Sequence, residues 1–461
     1  MEIFSLVFFF ALVSSSAFVD GEGGGVFKIQ HKFGKVSDRS LQELTSHDTT
    51  RHERHLSAIN VPLGGNGKLS GTGQVLYFTK LSIGSPPKDF FLHVDTGSDV
   101  LWVNCARCSP CRPTYTDDNS TLNLYDPTLS STAGLVPCSG DFCTEYRKGG
   151  RHNSDCSSNK ACGYGVGYGD GSKTNGYFVR DIIGFDEVIG NLQFTIGNAG
   201  LSFGCGMHQK GTFTLDGIIG FGASTTSFLS QLASSGKVSK KFAHCLDGRN
   251  GGGIFVIGDV VQPALKTTPL VRNAPHYNVN MKSIQVGNSI RMFPNSKPKM
   301  ILSSQPNLTT QLVKCFDFNK SIDDSFPTVI LGFENSLELN VYPHHYLIPN
   351  KFEGYCFGWL DSQILKSDLI ILGDLVLEGK LVLYDVENQN LGLSDYDCSS
   401  TIGLKDDMSG VVNQVAGSNS LSSSPARRHK DISASPAHQH FDFGMVVKLF
   451  LLSLFMLYNY V

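Results

Sequence analysis

Apolar residues in this chain come in short runs cut by glycine and proline, not in the three-and-four spacing of long amphipathic helices. From Tyr77 the order reads strand, turn, strand, loop, strand. Tyr77 to Ile83 is followed by the hairpin punctuation Gly84-Ser85-Pro86-Pro87, then Phe90 to Val94, then the polar Asp95-Thr96-Gly97-Ser98, then the buried run Val100 to Val103. Asp95 is thereby predicted at a tight turn between two apolar strands. Phe228 to Leu232 reads as a short helix. With 49 glycines and many Val, Ile, Phe and Tyr residues, the pattern predicts an all-β chain of short strands.

A length of 461 residues exceeds what one core organises, which favours two lobes once processed ends are set aside. Hydrophobic residues make up 41% and charged residues 17%, enough apolar material for a large core and too little charge for a disordered chain. The formal net charge of -3 gives no excess of cations to neutralise phosphates, so nucleic acid is excluded as an expected partner.

The twelve cysteines lie between Cys105 and Cys398, an even number that fits disulfides. Cys105, Cys108 and Cys111 have the spacing of half a zinc ribbon, but no second knuckle follows, and His52-Glu53-Arg54-His55 lacks the i, i+4 histidines of a zinc-protease helix. No metal and no cofactor are expected. Spacing leaves the disulfide pairings open.

Both ends read as addresses. Ile3 to Val13 is an apolar run too short to span a bilayer, and Ser15-Ser16-Ala17 suits signal peptidase. Met445 to Val461 is an apolar tail preceded by a polar, Ser- and His-rich stretch, the arrangement of a removable GPI signal, with Ser433 as the candidate attachment site. The expectation is therefore export and a lipid anchor at the outer face of the plasma membrane. Asn119, Asn307 and Asn319 head glycosylation tripeptides. Phe27 to Asn60, rich in Lys, Arg and His, reads as a prosegment whose cations pair with active-site carboxylates until acid protonates them.

Tyr77 to Cys105, with its Asp95-Thr96-Gly97-Ser98 loop, resembles the N-terminal lobe of pepsin-like aspartic proteases, in particular their cysteine-rich plant branch, with Cys105 to Cys162 as that branch's insert. The resemblance implies a bilobal fold in which Asp95 is catalytic and Tyr164 to Ser172 is the flap over substrate, including Tyr168, Gly169 and Asp170. It implies that Trp102 is the hydrogen-bond partner of Tyr168, that Phe178 to Asp181 is the flap's return strand, and that Leu215 to Gly222 threads beside the Asp95 loop with Asp216 structural. Lys241 to Cys245 would cross towards the second lobe.

The family duplicates its lobe, with one aspartate per half. Tyr277 to Gly287, Leu369 to Asp374, Leu381 to Val386 and Leu391 to Ser394 match the second lobe, with Cys315 and Cys356 implied as a pair. Between Gly287 and Ile301, where the resemblance places the second Asp-Thr-Gly or Asp-Ser-Gly, no aspartate occurs, and the surrounding strand and helix read as missing. Asp324-Ser325-Phe326 is the nearest imitation, with Phe where Gly is required. The expected organisation is a signal peptide (1–17), prosegment and linker (18–69), N-terminal β lobe (70–245), shortened C-terminal β lobe (246–400), polar linker (401–442) and hydrophobic GPI-signal tail (443–461). The function implied is an aspartic-type endopeptidase, acting as a monomer on a polypeptide in the interlobe cleft and impaired by the absent aspartate. The alternative is a protease-like protein that binds or inhibits a protein ligand without catalysis.

Overall fold

The computed structural model describes residues 58–65, 77–111, 122–149, 156, 160–169, 171–211, 213–292, 299–302, 315–349, 354–359, 370–406 and 409–417. The signal peptide, most of the prosegment, the C-terminal tail, Asn119, Asn307, Asp170 and Ser433 lie outside these residues. The described chain is dominated by strands, as expected of an all-β fold.

A 14-stranded sheet runs through both halves. Its path starts at Lys266–Pro269, Asn390–Asp395 and Lys380–Asp385, crosses Lys241–Leu246, Gly253–Ile257 and Ala58–Asn60, and continues through Lys173–Gly190, Phe78–Ile83, Lys88–Asp95, Gly217–Gly220 and Trp102–Asn104 to Gln193–Lys210. Where the halves meet, aromatic rings from both pack together. Phe242 stacks on Tyr384 at 4.3 Å, Phe221 meets Phe255 at 4.5 Å, and Tyr277 meets Tyr384 at 4.9 Å between centroids. Ring pairs of this kind contribute about 0.5–1.5 kcal/mol each beyond their burial, which helps hold the two halves together.

Strands lie across three of the expected boundaries. Ala58–Asn60, assigned to prosegment and linker, is a strand paired on both sides, and Ile59 and Leu63 are fully buried. The 245/246 lobe boundary falls inside a hairpin of the shared sheet, Lys241–Leu246 with Gly253–Ile257. Thr401–Lys405 and Val412–Ala416, assigned to a polar linker, pair with each other, and Thr401–Lys405 pairs with Asp259–Gln262, with Ile402, Leu404 and Val415 buried.

The second half adds a 6-stranded sheet that includes Asn278–Val286, Val329–Phe333, Lys299–Leu302 and Ile370–Leu372. The strand that the sequence reading took as missing is therefore present at Lys299–Leu302. Asp324 sits in the short helix Ile322–Ser325 on an exposed surface, remote in kind from a strand-end turn.

Six disulfides join all twelve cysteines: Cys105–Cys205, Cys108–Cys111, Cys138–Cys156, Cys143–Cys162, Cys245–Cys398 and Cys315–Cys356. Two of them pin the helix Asp141–Lys148 and its flanks beside the flap strand. The last joins directly opposed residues of Cys315–Asp317 and Gly354–Phe357.

Candidate active site

Asp95 closes the strand Lys88–Asp95, which lies parallel to Gly217–Gly220 with Asp95 opposite Gly220. Its carbonyl accepts the Phe221 N–H at 2.8 Å, and its Oδ1 accepts the Gly97 N–H at 2.8 Å. The side chain is fully buried. Gly220 is required by space: a Cβ there would stand 2.4 Å from the Asp99 carbonyl carbon and 2.6 Å from the Val100 nitrogen. The loop after Asp95 thus packs directly on the neighbouring strand, with the Gly222 N–H donating to the Ser98 carbonyl at 2.8 Å.

Asp216 holds the base of this arrangement. Its Oδ2 accepts the Phe91 N–H at 2.8 Å and its Oδ1 the Asn123 N–H at 2.7 Å, so one buried carboxylate ties the Asp95 strand to the cysteine-rich insert. On the other side, Gly163–Gly167 pairs with the first residues of Lys173–Gly190 as a hairpin. Tyr168 lies at its turn, where its N–H donates to the Ser172 carbonyl at 2.9 Å, Gly171 takes a positive φ of 82°, and Gly169 is exposed. The Trp102 indole N–H donates to the Tyr168 hydroxyl at 2.6 Å, and Phe213 lies edge-on to both rings. Burial and the charge of Asp95 push the Tyr168 phenol well above its ordinary range, so it stays a neutral donor and acceptor.

From the second half, Tyr277 donates its hydroxyl to the Phe221 carbonyl at 2.7 Å, and the Tyr384 hydroxyl is hydrogen-bonded to the side chain of Thr96. Sequence reasoning assigned neither role. It also gave none to Asp374, which is buried with no hydrogen-bond partner for either carboxylate oxygen among the described residues. Burial, then Glu378, then Asp95 push the Asp374 carboxyl well above the usual range.

Xylanase inhibitor N-terminal and C-terminal family models match residues 77–259 and 302–395. The chain is 42% identical over 440 residues to Aspartic proteinase 36 of Arabidopsis thaliana, covering 87% of this chain and 89% of that protein. It belongs to the plant pepsin-like aspartic protease family. Aspartic proteinase 39 of the same plant is 41% identical over 436 residues, covering 87% and 90%. Among solved structures, conglutin gamma, a basic 7S globulin of lupine seeds, overlays with a TM-score of 0.58 at 18% identity, covering 74% of this chain and 96% of that one. Soybean basic 7S globulin overlays at 0.54 and 19%, with the same coverages. Both support the bilobal β fold.

Strand register gives the second-half counterpart of the Asp95 strand. In the first half Val94 is opposite Ile219 and Asp95 opposite Gly220; in the second, Leu302 is opposite Leu372. Phe78 pairs with His93 and Asn278 with Ile301, so Tyr77 and Tyr277 match, and Lys299–Leu302 corresponds to the end of Lys88–Asp95. The residues between Leu302 and Cys315, whose sequence holds no Asp-Thr-Gly or Asp-Ser-Gly, lie outside the described ones. Of the glycosylation candidates, Asn319 is described, and it is exposed.

Proposed function

We propose that this protein is a secreted member of the aspartic-type endopeptidase family in which Asp95 activates water in a peptide-binding cleft, with turnover strongly impaired because the second half has no Asp-Thr-Gly or Asp-Ser-Gly. The buried Asp95 at its strand-end turn, without a second such motif in the sequence, carries this reading. In a two-aspartate centre one carboxylate takes the proton of the attacking water while the other, protonated, gives a proton to the carbonyl oxygen. Without the second carboxylate the concerted exchange loses one member, at a cost of about 10²–10⁴ in rate.

Two elements support substrate engagement: an Asp95 carboxylate that accepts the Gly97 N–H, and a flap tyrosine that accepts the Trp102 indole N–H. Six disulfides and the apolar ends support export, with Ser433 as the GPI attachment site and Asn119, Asn307 and Asn319 as glycan acceptors. The second reading is a binding or inhibitor protein that uses the cleft without chemistry, favoured by the xylanase-inhibitor family models together with the absence of a second Asp-Thr-Gly or Asp-Ser-Gly.

The test is cleavage of an unfolded protein at about pH 4 by purified chain, beside a two-aspartate pepsin-like peptidase and beside Asp95→Asn. Slow cleavage lost in Asp95→Asn supports the first reading. Turnover equal to the two-aspartate enzyme overturns the impairment, and no cleavage with retained peptide binding supports the second reading.

A further inference from the structure

The outer edge of the long strand Gln193–Lys210 changes character along its length, while its inner edge pairs with Lys173–Gly190 from end to end. On the outer edge, Gly204 donates its N–H to the Leu101 carbonyl at 2.8 Å where Trp102–Asn104 joins the sheet. At Ser202 a side chain takes over. The Gln231 amide, on the helix Phe228–Ser234, accepts the Ser202 N–H at 2.8 Å and donates to the Ser202 carbonyl at 2.9 Å. Because a ladder alternates with a period of two, the N–H and C=O groups of Gly200, Asn198, Ile196 and Phe194 point the same way as those of Ser202 and Gly204. Among the described residues, none of these groups has a partner on that side.

The side chains leave this stretch unguarded. Ile196 is 84% exposed and Phe194 39%, and at the adjoining turn Ile189 is 61% and Leu192 54% exposed. Edge strands ordinarily carry a lysine, an inward charge or a proline that deters pairing. Residues 189–207 contain no Asp, Glu, Lys, Arg or Pro. No glycosylation tripeptide falls there either, since Asn191 is followed by Leu-Gln and Asn198 by Ala-Gly. The turn is tied down: the Leu192 N–H donates to the Gln414 carbonyl and the Gln414 N–H to Asn191 Oδ1, both at 2.8 Å. On the opposite face Gly197 and Ala199 are buried, and a Cβ on Gly197 would stand 2.7 Å from the Phe185 ring, so the strand cannot slip by one residue and hide Ile196.

We propose that this edge docks a second copy of the chain, residues 194–198 pairing antiparallel with themselves across a two-fold axis at Ile196. An extended backbone is what satisfies a row of alternating N–H and C=O groups. The second copy is the backbone whose side chains fit. About that axis the outward groups of Ile196 meet those of Ile196 of the partner subunit, and Phe194 lies opposite Asn198 of the partner subunit, which places an apolar contact at the centre and a mixed one on either side. A two-fold axis presents each patch to itself, so a charged edge would repel its own copy; this strand carries no charge. The nearest charges, the Glu187 carboxylate beside Gly197 and the Arg180 guanidinium beside Gly200, belong to the neighbouring strand and are opposite in sign. A few strand residues from each copy make a small interface, under about 1,200 Å², so the dimer dissociates on dilution. The monomer expected from the sequence is then the dilute form. Neither Asp95 nor turnover enters, so the dimer and the catalytic reading stand or fall separately.

The experiment is sedimentation velocity on purified chain from about 1 to 100 µM, with residue-resolved amide exchange at the two ends of that range. The boundary should move from monomer to dimer as concentration rises. The amides of Phe194, Ile196 and Asn198 should slow by about tenfold, while those of Thr195, Gly197 and Ala199, which face Lys173–Gly190, should not change. Ile196→Lys places a guard charge on an exposed side chain, and Asn198→Pro removes an outward N–H without touching the inner ladder; each should raise the dimer Kd about tenfold or more, with the wild-type near-UV circular dichroism retained. If the proline variant unfolds, Ile196→Lys alone decides. A monomer at every concentration overturns the inference, as does a dimer that Ile196→Lys leaves intact, or one in which both sets of amides respond alike. A monomer that cosediments with phosphatidylcholine vesicles, and loses this in Ile196→Lys, overturns it in favour of a lipid contact.

Discussion

Trp102 and Tyr168 are joined by an indole-to-phenol hydrogen bond of 2.6 Å that ties the turn of the flap to the strand following the Asp95 loop. Trp102 is fully buried, so the bond couples a mobile kind of element to a fixed one. Tyr168→Phe keeps the ring against Phe213 but strands the indole N–H. It should cost about 1–3 kcal/mol in denaturant unfolding. The double variant with Trp102→Phe should cost less than the two single losses combined, a non-additivity read by the double-mutant cycle. Additive losses would show the bond to be energetically idle.

Asp216 should be more sensitive. Asp216→Ala leaves the N–H groups of Phe91 and Asn123 without their acceptor in a buried site. A loss of about 2–5 kcal/mol is expected from two unsatisfied donors. The same variant should loosen the Asp95 strand, visible as faster amide exchange from Phe90 to Val94 than in wild type.

Stability should fall on both sides of a mildly acidic optimum. Burial raises the Glu378 carboxyl from 4.5 to about 7, so its stabilising contribution is complete below 4.5 and is lost as pH rises through 7, on the order of 3 kcal/mol. Asp374 acts with the same sign. His244, pushed by burial from 6.5 to about 3, stays neutral in the fold; its contribution is complete above 6.5 and is lost as pH falls towards 3. His345 does the same. Urea midpoints across pH 3–9 should show this dome, Glu378→Gln flattening the alkaline limb and His244→Phe the acid limb. A limb unchanged by its variant refutes that assignment.

Cys245 and Cys398 close a loop of 153 residues across the shared sheet. Replacing both by alanine should remove about 5 kcal/mol on the chain-entropy account. Replacing Cys108 and Cys111, only three residues apart, should cost far less. Similar losses in the two pairs, measured by denaturant unfolding, would contradict that account.

How much of this was legible beforehand differs from residue to residue. Asp95 at a turn between apolar strands, and the Trp102–Tyr168 pairing implied by resemblance, depend on local runs and a long unbroken match, and the geometry agrees with both. The strand Lys299–Leu302 was read as missing because it has four residues with a lysine among them, too short to announce itself. Ala58–Asn60 and Thr401–Lys405 were hidden for a related reason: their partners lie far along the chain, at Gly253–Ile257 and at Asp259–Gln262.

By itself the amino-acid order determined the strand-rich architecture, the family, the Asp95 turn and the lack of an Asp-Thr-Gly in the second half, all of which are written in neighbouring residues. The tertiary structure alone decided that Lys299–Leu302 runs parallel to Ile370–Leu372, that Tyr277 from the second half meets the Phe221 carbonyl and Tyr384 the Thr96 side chain, and that Asp374 is a buried carboxyl. These are facts of strand register and desolvation, which arise only when segments hundreds of residues apart share one core.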